Sequence, residues 1–325
     1  MTTMTRSLAP LPRICPPDPP APNKATGILR LTGCWPELLR DLARLDRVWI
    51  ETAIPGLDMA QAALLQGIRI EQNIAQATGR RFALHLFLDQ WHVLRTLPDG
   101  ESEDPQQLRI EDQSRTTLLT LSLDHRSNGF ALRTLLRNHQ AERQRVVPLH
   151  RRTDRVATAS NYAAFIRVLN QHSQVGVDDP DSLDIGEVCG WQRLSPERLR
   201  EQGQIQPVDP EQIACFLGAL ADQALPVRVL TGTAGVAHRF DGAFYFHQRR
   251  AGSWLQLLGD DVRLRIETAA IDSAWVFRRQ GASGQRHQLR LYDASGRALA
   301  VIENLPGFDQ AENPIWRTLI NTLLD

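Results

Sequence analysis

Short apolar–polar alternations dominate the chain, and they gather in two places. Arg47-Val48-Trp49-Ile50-Glu51-Thr52, Phe82 to Leu88 and Leu118 to Leu123 have the spacing of half-buried strands. A second set follows residue 225: Val227 to Leu230, Ala243 to His247, Trp254 to Leu258, Val262 to Ile266, Ala274 to Arg278, Leu289 to Tyr292 and Ala298 to Ile302. Turn sequences such as Gly281-Ala282-Ser283-Gly284 and Asp293-Ala294-Ser295-Gly296 break them up. Many short strands with tight turns predict antiparallel meanders. Helical spacing appears at Leu38 to Leu42, Phe130 to Asn138, Asn161 to Gln171, Pro210 to Leu225 and Trp316 to Leu324. Asp209 suits the cap of the Pro210 helix. Asp178 to Asp181 and Gly186 read as loop.

The pattern repeats. Gln107-Leu108-Arg109-Ile110-Glu111-Asp112-Gln113-Ser114 matches Gln288-Leu289-Arg290-Leu291-Tyr292-Asp293-Ala294-Ser295, and a second strand follows each. Leu132-Arg133-Thr134-Leu135-Leu136 matches Trp316-Arg317-Thr318-Leu319-Ile320, and Arg47 to Ala53 resembles Val227 to Thr233. Three matches in one order predict an α+β fold with internal duplication. Its two pseudo-symmetric halves are each an antiparallel β-meander flanked by helices. Two copies are too few for a solenoid. The reading divides the chain into a proline-rich, disordered leader (1–29), a first repeat (30–140), a linker and opening helix (141–209) and a second repeat (210–325).

Composition narrows the function. Lys+Arg and Asp+Glu both number 37, which speaks against general nucleic-acid binding. No apolar run reaches ~18 residues, so no membrane span is expected, and the N-terminus lacks a signal pattern. Cys15, Cys34, Cys189 and Cys215 are scattered, which fits neither a zinc site nor a disulfide framework. A cytoplasmic protein is expected. Arg143, Arg145, His150, Arg151, Arg152 and Arg155 form a basic linker cluster, either exposed chain or a docking patch. Thr231-Gly232-Thr233-Ala234-Gly235 lacks the spacing of a nucleotide loop, and there is no G-x-S-x-G or H-E-x-x-H.

Several strings of the second half resemble the bacterial haem-utilisation family of HemS/ChuS/HmuS type. They are Trp254 to Leu258, Val262 to Arg265, Ile271 to Arg279, Leu289 to Gly296 and Trp316-Arg317. Leu86-Phe87-Leu88-Asp89-Gln90-Trp91-His92 resembles it more weakly in the first half. The resemblance implies a protein that takes haem after import, with an importer or a haem-accepting protein as partner, and stores it, passes it on or degrades it. It also implies a pocket between the halves, an axial His on the helix opening the second half, and basic residues at the propionates.

This chain departs from that pattern. The axial position falls on Ala163, with Tyr162 beside it, and His172 lies about half a turn out of phase and ~13 Å further along. The family's distal Gln and Tyr correspond to Val301 and Glu303, and an Arg to Pro306. The family's propionate cation survives as Arg279, and Arg95 is its first-half candidate. Tyr162 is the candidate iron ligand as a phenolate, with haem the only implied cofactor. His92, read on a strand, is a further cofactor-binding candidate; His238 and His247 are either ligands or hydrogen-bonded structural histidines. Haem transfer is the leading expectation. Haem degradation, and a non-haem paralogue with a regulatory or protein-binding role, stay open. A carboxylate at Glu303 favours the paralogue unless it is paired.

Overall fold

A computed structural model describes residues 30–31, 34–97, 106–139, 180–191, 200, 204–281, 284–305 and 311–324. The leader, the 161–171 helix, Tyr162, His172 and the basic linker lie outside the described residues.

The first half runs β1 (Arg30–Leu31), α1 (Trp35–Leu42), β2 (Asp46–Ile54), β3 (Leu57–Leu64), β4 (Arg69–Glu71), β5 (Ile74–Thr78), β6 (Phe82–Phe87), β7 (Val93–Leu97), β8 (Gln107–Glu111), β9 (Thr117–Ser127) and α2 (Gly129–His139). A helix, α3 (Pro180–Val188), follows. The second half runs β10 (Ile205–Val208), α4 (Ile213–Asp222), β11 (Val227–Thr233), β12 (Val236–Gly242), β13 (Phe246–Arg249), β14 (Trp254–Leu258), β15 (Val262–Glu267), β16 (Ser273–Gly281), β17 (Gly284–Tyr292), β18 (Ala298–Asn304) and α5 (Pro314–Leu324). The halves match strand for strand, as the repeated sequence predicts.

The sheets do not follow the halves. One nine-stranded sheet has the order β1-β7-β8-β9-β2-β3-β15-β14-β13, the other β10-β16-β17-β18-β11-β12-β6-β5-β4. Each sheet therefore takes six strands from one repeat and three from the other. The seams are antiparallel: Met59 opposes Leu264 across β3–β15, and His238 opposes Leu84 across β12–β6. Exchange gives β3 and β12 a partner where each six-strand set would otherwise end in an exposed edge.

The cores do follow the halves. Apolar residues of α1, α2 and β2, β3, β5 to β9 form one core. Those of α4, α5 and β10, β11, β14 to β18 form most of another, around the fully buried Trp316. Each repeat thus buries most of its apolar residues in its own core, with Ile54, Leu57 and Met59 crossing into the second and Val236 into the first, while its backbone ladder continues into the other. Side chains also bridge the repeats. Trp91 Nε1–H donates to the Gly235 carbonyl at 3.0 Å, and Thr233 Oγ1 donates to the Leu118 carbonyl at 3.1 Å. Trp91→Phe keeps a ring against Trp35 and removes one of two hydrogen bonds to the Gly235 carbonyl, which still accepts from the Phe87 N–H at 3.0 Å. It is expected to cost about 0.5–1.5 kcal/mol, read as a lower urea midpoint at unchanged m-value.

Four local expectations are corrected. The Asp178–Asp181 loop reading fails at its end, because Pro180 opens α3 and Gly186 sits inside it. Proline at a first helical turn loses no bond there. The Ala243 to His247 strand is a link plus the start of β13: Phe244 turns into the core, 1% exposed and 5.2 Å from the Phe240 ring. The Pro210 helix begins as a 3-10 turn, with Asp209 accepting from the Glu211 N–H at 2.9 Å, and α4 ends at Asp222. His92 lies just ahead of β7 rather than on it.

Candidate functional site

α3 covers the face of the second sheet that points away from α4 and α5. Its Ile185 and Val188, with Cys189 just after it, pack with Leu230, Ala237 and Val301 and others in a third, small core. Trp191 completes the cover, 4.1 Å and edge-on from Phe87.

The same helix face carries two carboxylates. Asp184 and Glu187 stand three residues apart, so they share one side of α3, and both are 2% exposed. Beneath them, Gln288, Arg290 and Tyr292 alternate along β17 and so share one sheet face. Arg290 Nη2 donates to Asp184 Oδ1 at 2.6 Å, and its Nη1 donates to Glu187. Arg279 Nη2 also donates to Asp184 Oδ1, at 2.6 Å, and Gln288 Nε2 to Asp184 Oδ2 at 3.0 Å. The Tyr292 hydroxyl donates to Glu187. Arg290 stacks on Phe277, 4.0 Å from guanidinium carbon to ring centre.

Burial pushes the Glu187 carboxyl up, against the pull of Arg290 and Tyr292. Burial also works against the Arg290 charge, but Asp184 and Glu187 outweigh it and hold the guanidinium protonated. Burial and the neighbouring Glu187 raise the Tyr292 phenol. This phenol is therefore a neutral donor.

The network extends to Glu303. Gln288 Nε2 donates to it at 2.8 Å and Arg228 Nη1 at 3.2 Å, while Arg228 Nε also binds Asp241 at 2.9 Å. The costly unpaired carboxylate weighed from the sequence is thus paired. Between α3 and the sheet is a cavity of about 20 Å³, lined by His85, Asp184, Arg228, Arg239, Val301 and Glu303 among others. That is room for one water.

The structure brings the predicted Arg279 together with two positions where the chain departs from the family pattern: Arg279, Val301 and Glu303 all meet Asp184 or its cavity. Arg95 and His92 lie elsewhere, in and just before β7 of the first sheet. Arg95 Nε is 2.9 Å from Glu111 Oε2 and stands opposite Arg109. Arg109 is the repeat counterpart of Arg290, which stands opposite Trp275, so Arg95 corresponds to Trp275 rather than to Arg279. The His92 side chain is exposed. His238 is fully buried between the sheets, and His247 lies 3.2 Å from Asp222 and against Gly218. Among the described residues, no group of three or more His, Cys, Asp or Glu could hold a metal ion. No helix there is long and apolar enough to cross a membrane.

Sequence reasoning missed Asp184, Glu187, Gln288, Arg290 and Tyr292. One signal was available: Gln288, Arg290 and Tyr292 alternate with the fully apolar Leu289 and Leu291, which marks a polar face on a central strand.

Fold and repeat together define a duplicated α+β protein with two interleaved antiparallel sheets. The family model described as the haemin-degrading HemS.ChuX domain matches residues 190–323. Solved structures of two proteins match nearly the whole chain. ChuS, the heme degrading enzyme of Escherichia coli O157:H7, is 17% identical, with 92% of this chain and 87% of that one covered and a TM-score of 0.73. Holo-PhuS, a heme-binding protein from Pseudomonas aeruginosa, is 19% identical, with 91% and 86% covered and a TM-score of 0.74. No match is found among curated protein sequences. The second half thus matches the HemS.ChuX domain model, and the chain as a whole shares the fold of ChuS and PhuS.

Proposed function

We propose that this protein binds haem in the cytoplasm after import and passes it to an accepting protein, with its pocket rewired. The observation that carries the reading is the convergence of Arg279, Val301 and Glu303 on one face of a ChuS/PhuS-like fold. That face pairs apolar Leu230, Ala237 and Val301 with the guanidinium groups of Arg228, Arg279 and Arg290. Its composition suits a flat apolar macrocycle with carboxylates. Its free volume does not, because α3 leaves about 20 Å³. Haem on this face requires α3 to move away. Tyr162 is the first candidate for the iron ligand and Arg279 for a propionate; Arg95 and His92 are candidates only for a separate contact on the first sheet.

The test is a haemin titration of the full chain, read in the Soret band, with Tyr162→Phe in parallel. Saturable one-to-one binding is expected, with a changed spectrum in the variant. Absence of saturable binding overturns the proposal. Conversion of bound haem to an open-chain tetrapyrrole under reductant would instead place the protein among degrading enzymes.

A second reading has its own observation. α3 fills the face, and every carboxylate beneath it has a cationic or amide partner. A non-haem paralogue with a protein-binding role would look like this, and it predicts no Soret change at any haemin ratio.

A further inference from the structure

The opposite face of the second sheet carries a different cluster. Arg278 and His287 stand directly across β16–β17 from one another. Their neighbours in the chain, Val276 and Leu289, lie in the core under α5, so these two polar residues sit where that core ends. Arg317 and Asn321, one turn apart on α5, face them, and Gln285 extends the same side of β17. The five residues line an open concavity of about 500 Å³.

The donors are held in place. Glu312, 5% exposed, accepts from the His287 backbone N–H at 2.7 Å and from His287 Nδ1 at 2.8 Å. It also lies 3.5 Å from Arg317 Nε. The imidazole orientation is therefore fixed from behind. Arg278 hydrogen bonds to the neutral amide of Gln206, and its backbone N–H is tied to the Gln204 carbonyl at 2.9 Å. Two guanidinium groups thus face a site whose one carboxylate among the described residues lies at its back. Guanidinium forks match carboxylate and phosphate oxygens bidentately.

We infer that this concavity is a binding site for a small polar oxyanion, carrying a phosphoryl or a carboxylate group. Its volume falls in the range of small-molecule sites and exceeds a bare anion. The amides of Gln285 and Asn321 suit a hydroxyl- or amide-bearing remainder. The site lies on the sheet face away from α3 and does not rest on the haem reading.

Calorimetric titration of the full chain with inorganic phosphate, and separately with citrate, tests the inference. Arg278→Gln and Arg317→Gln serve as paired variants. Both side chains are largely solvent-facing, so the fold is expected to persist, checked by an unchanged circular dichroism spectrum. Saturable binding of one probe, weakened about tenfold by either variant, is expected. Phosphate alone would identify a phosphoryl ligand, citrate alone a carboxylate ligand. Equal binding by wild type and both variants means an adventitious ion only and overturns the inference, as does no binding of either probe. Haemin titrations of the two variants are expected to match wild type.

Discussion

Arg290→Leu lowers the unfolding free energy by about 3–5 kcal/mol, the largest single-site loss expected in this protein. The reason is what the substitution leaves behind. Asp184 and Glu187 are nearly solvent-free, and among the described residues Arg290 is the one cation that both contact. Without it, Arg279 still meets Asp184, but Glu187 keeps only the neutral Tyr292 hydroxyl among the described partners. A buried carboxylate in that position either stays charged at a desolvation cost or takes up a proton. The loss therefore reports an uncompensated charge more than the strength of the pair. That distinction can be measured. Combining Arg290→Leu with Asp184→Asn and Glu187→Gln removes the stranded charges and is expected to recover part of the loss. Urea denaturation of the three proteins decides it. A single variant within 1 kcal/mol of wild type would mean that α3 does not close on the sheet in solution.

The same cluster shows where sequence reading reaches its limit. β2, β6, β9 and most second-half strands were legible because one face packs on a core and the other alternates with it. β3 was not: Leu57 to Ala63 is buried on nearly every residue, since β3 lies between β2 and β15 with both faces covered. A strand of that kind loses its period-two signature. The duplication was legible from Gln107 and Gln288 onward, but the exchange of three strands was not, because hydrogen-bonding partners leave no trace in a single repeat's pattern. Arg279 and Glu303 were found through resemblance. Their partner Asp184 was not, because Pro180 and Gly186 read as loop punctuation when they open and occupy a helix. Arg95 was paired with Arg279 by its place after a tryptophan, whereas strand register aligns it with Trp275.

Between pH 6.5 and 5 the protein is expected to lose about 2 kcal/mol of stability through His238 alone. His238 is 0% exposed, and burial lowers its imidazole to about 3 from an ordinary value of 6.5. Its neighbours explain the neutral form. Gln61 gives its amide N–H to the Arg81 carbonyl at 2.9 Å, which leaves Gln61 Oε1 to accept from His238 Nε2 at 3.4 Å. The Thr52 hydroxyl then donates to His238 Nδ1 at 3.1 Å. Thr52 and Gln61 belong to the first sheet and His238 to the second, so one neutral imidazole joins the two. In the unfolded chain the ring titrates near 6.5, and below that value the unfolded state holds a proton that the folded state refuses. Stability is therefore fully present above pH 6.5 and falls as pH drops towards 3. His85, lowered to about 4 by burial and then by Arg239, acts in the same direction with a smaller weight, because its side chain is half-buried. His238→Gln is expected to have a lower plateau near pH 8 and a shallower descent. The difference in slope approaches ~1.4 kcal/mol per pH unit below 6, one proton's worth. Parallel slopes for wild type and His238→Gln between pH 5 and 6.5 would show that this ring is not held neutral between the sheets.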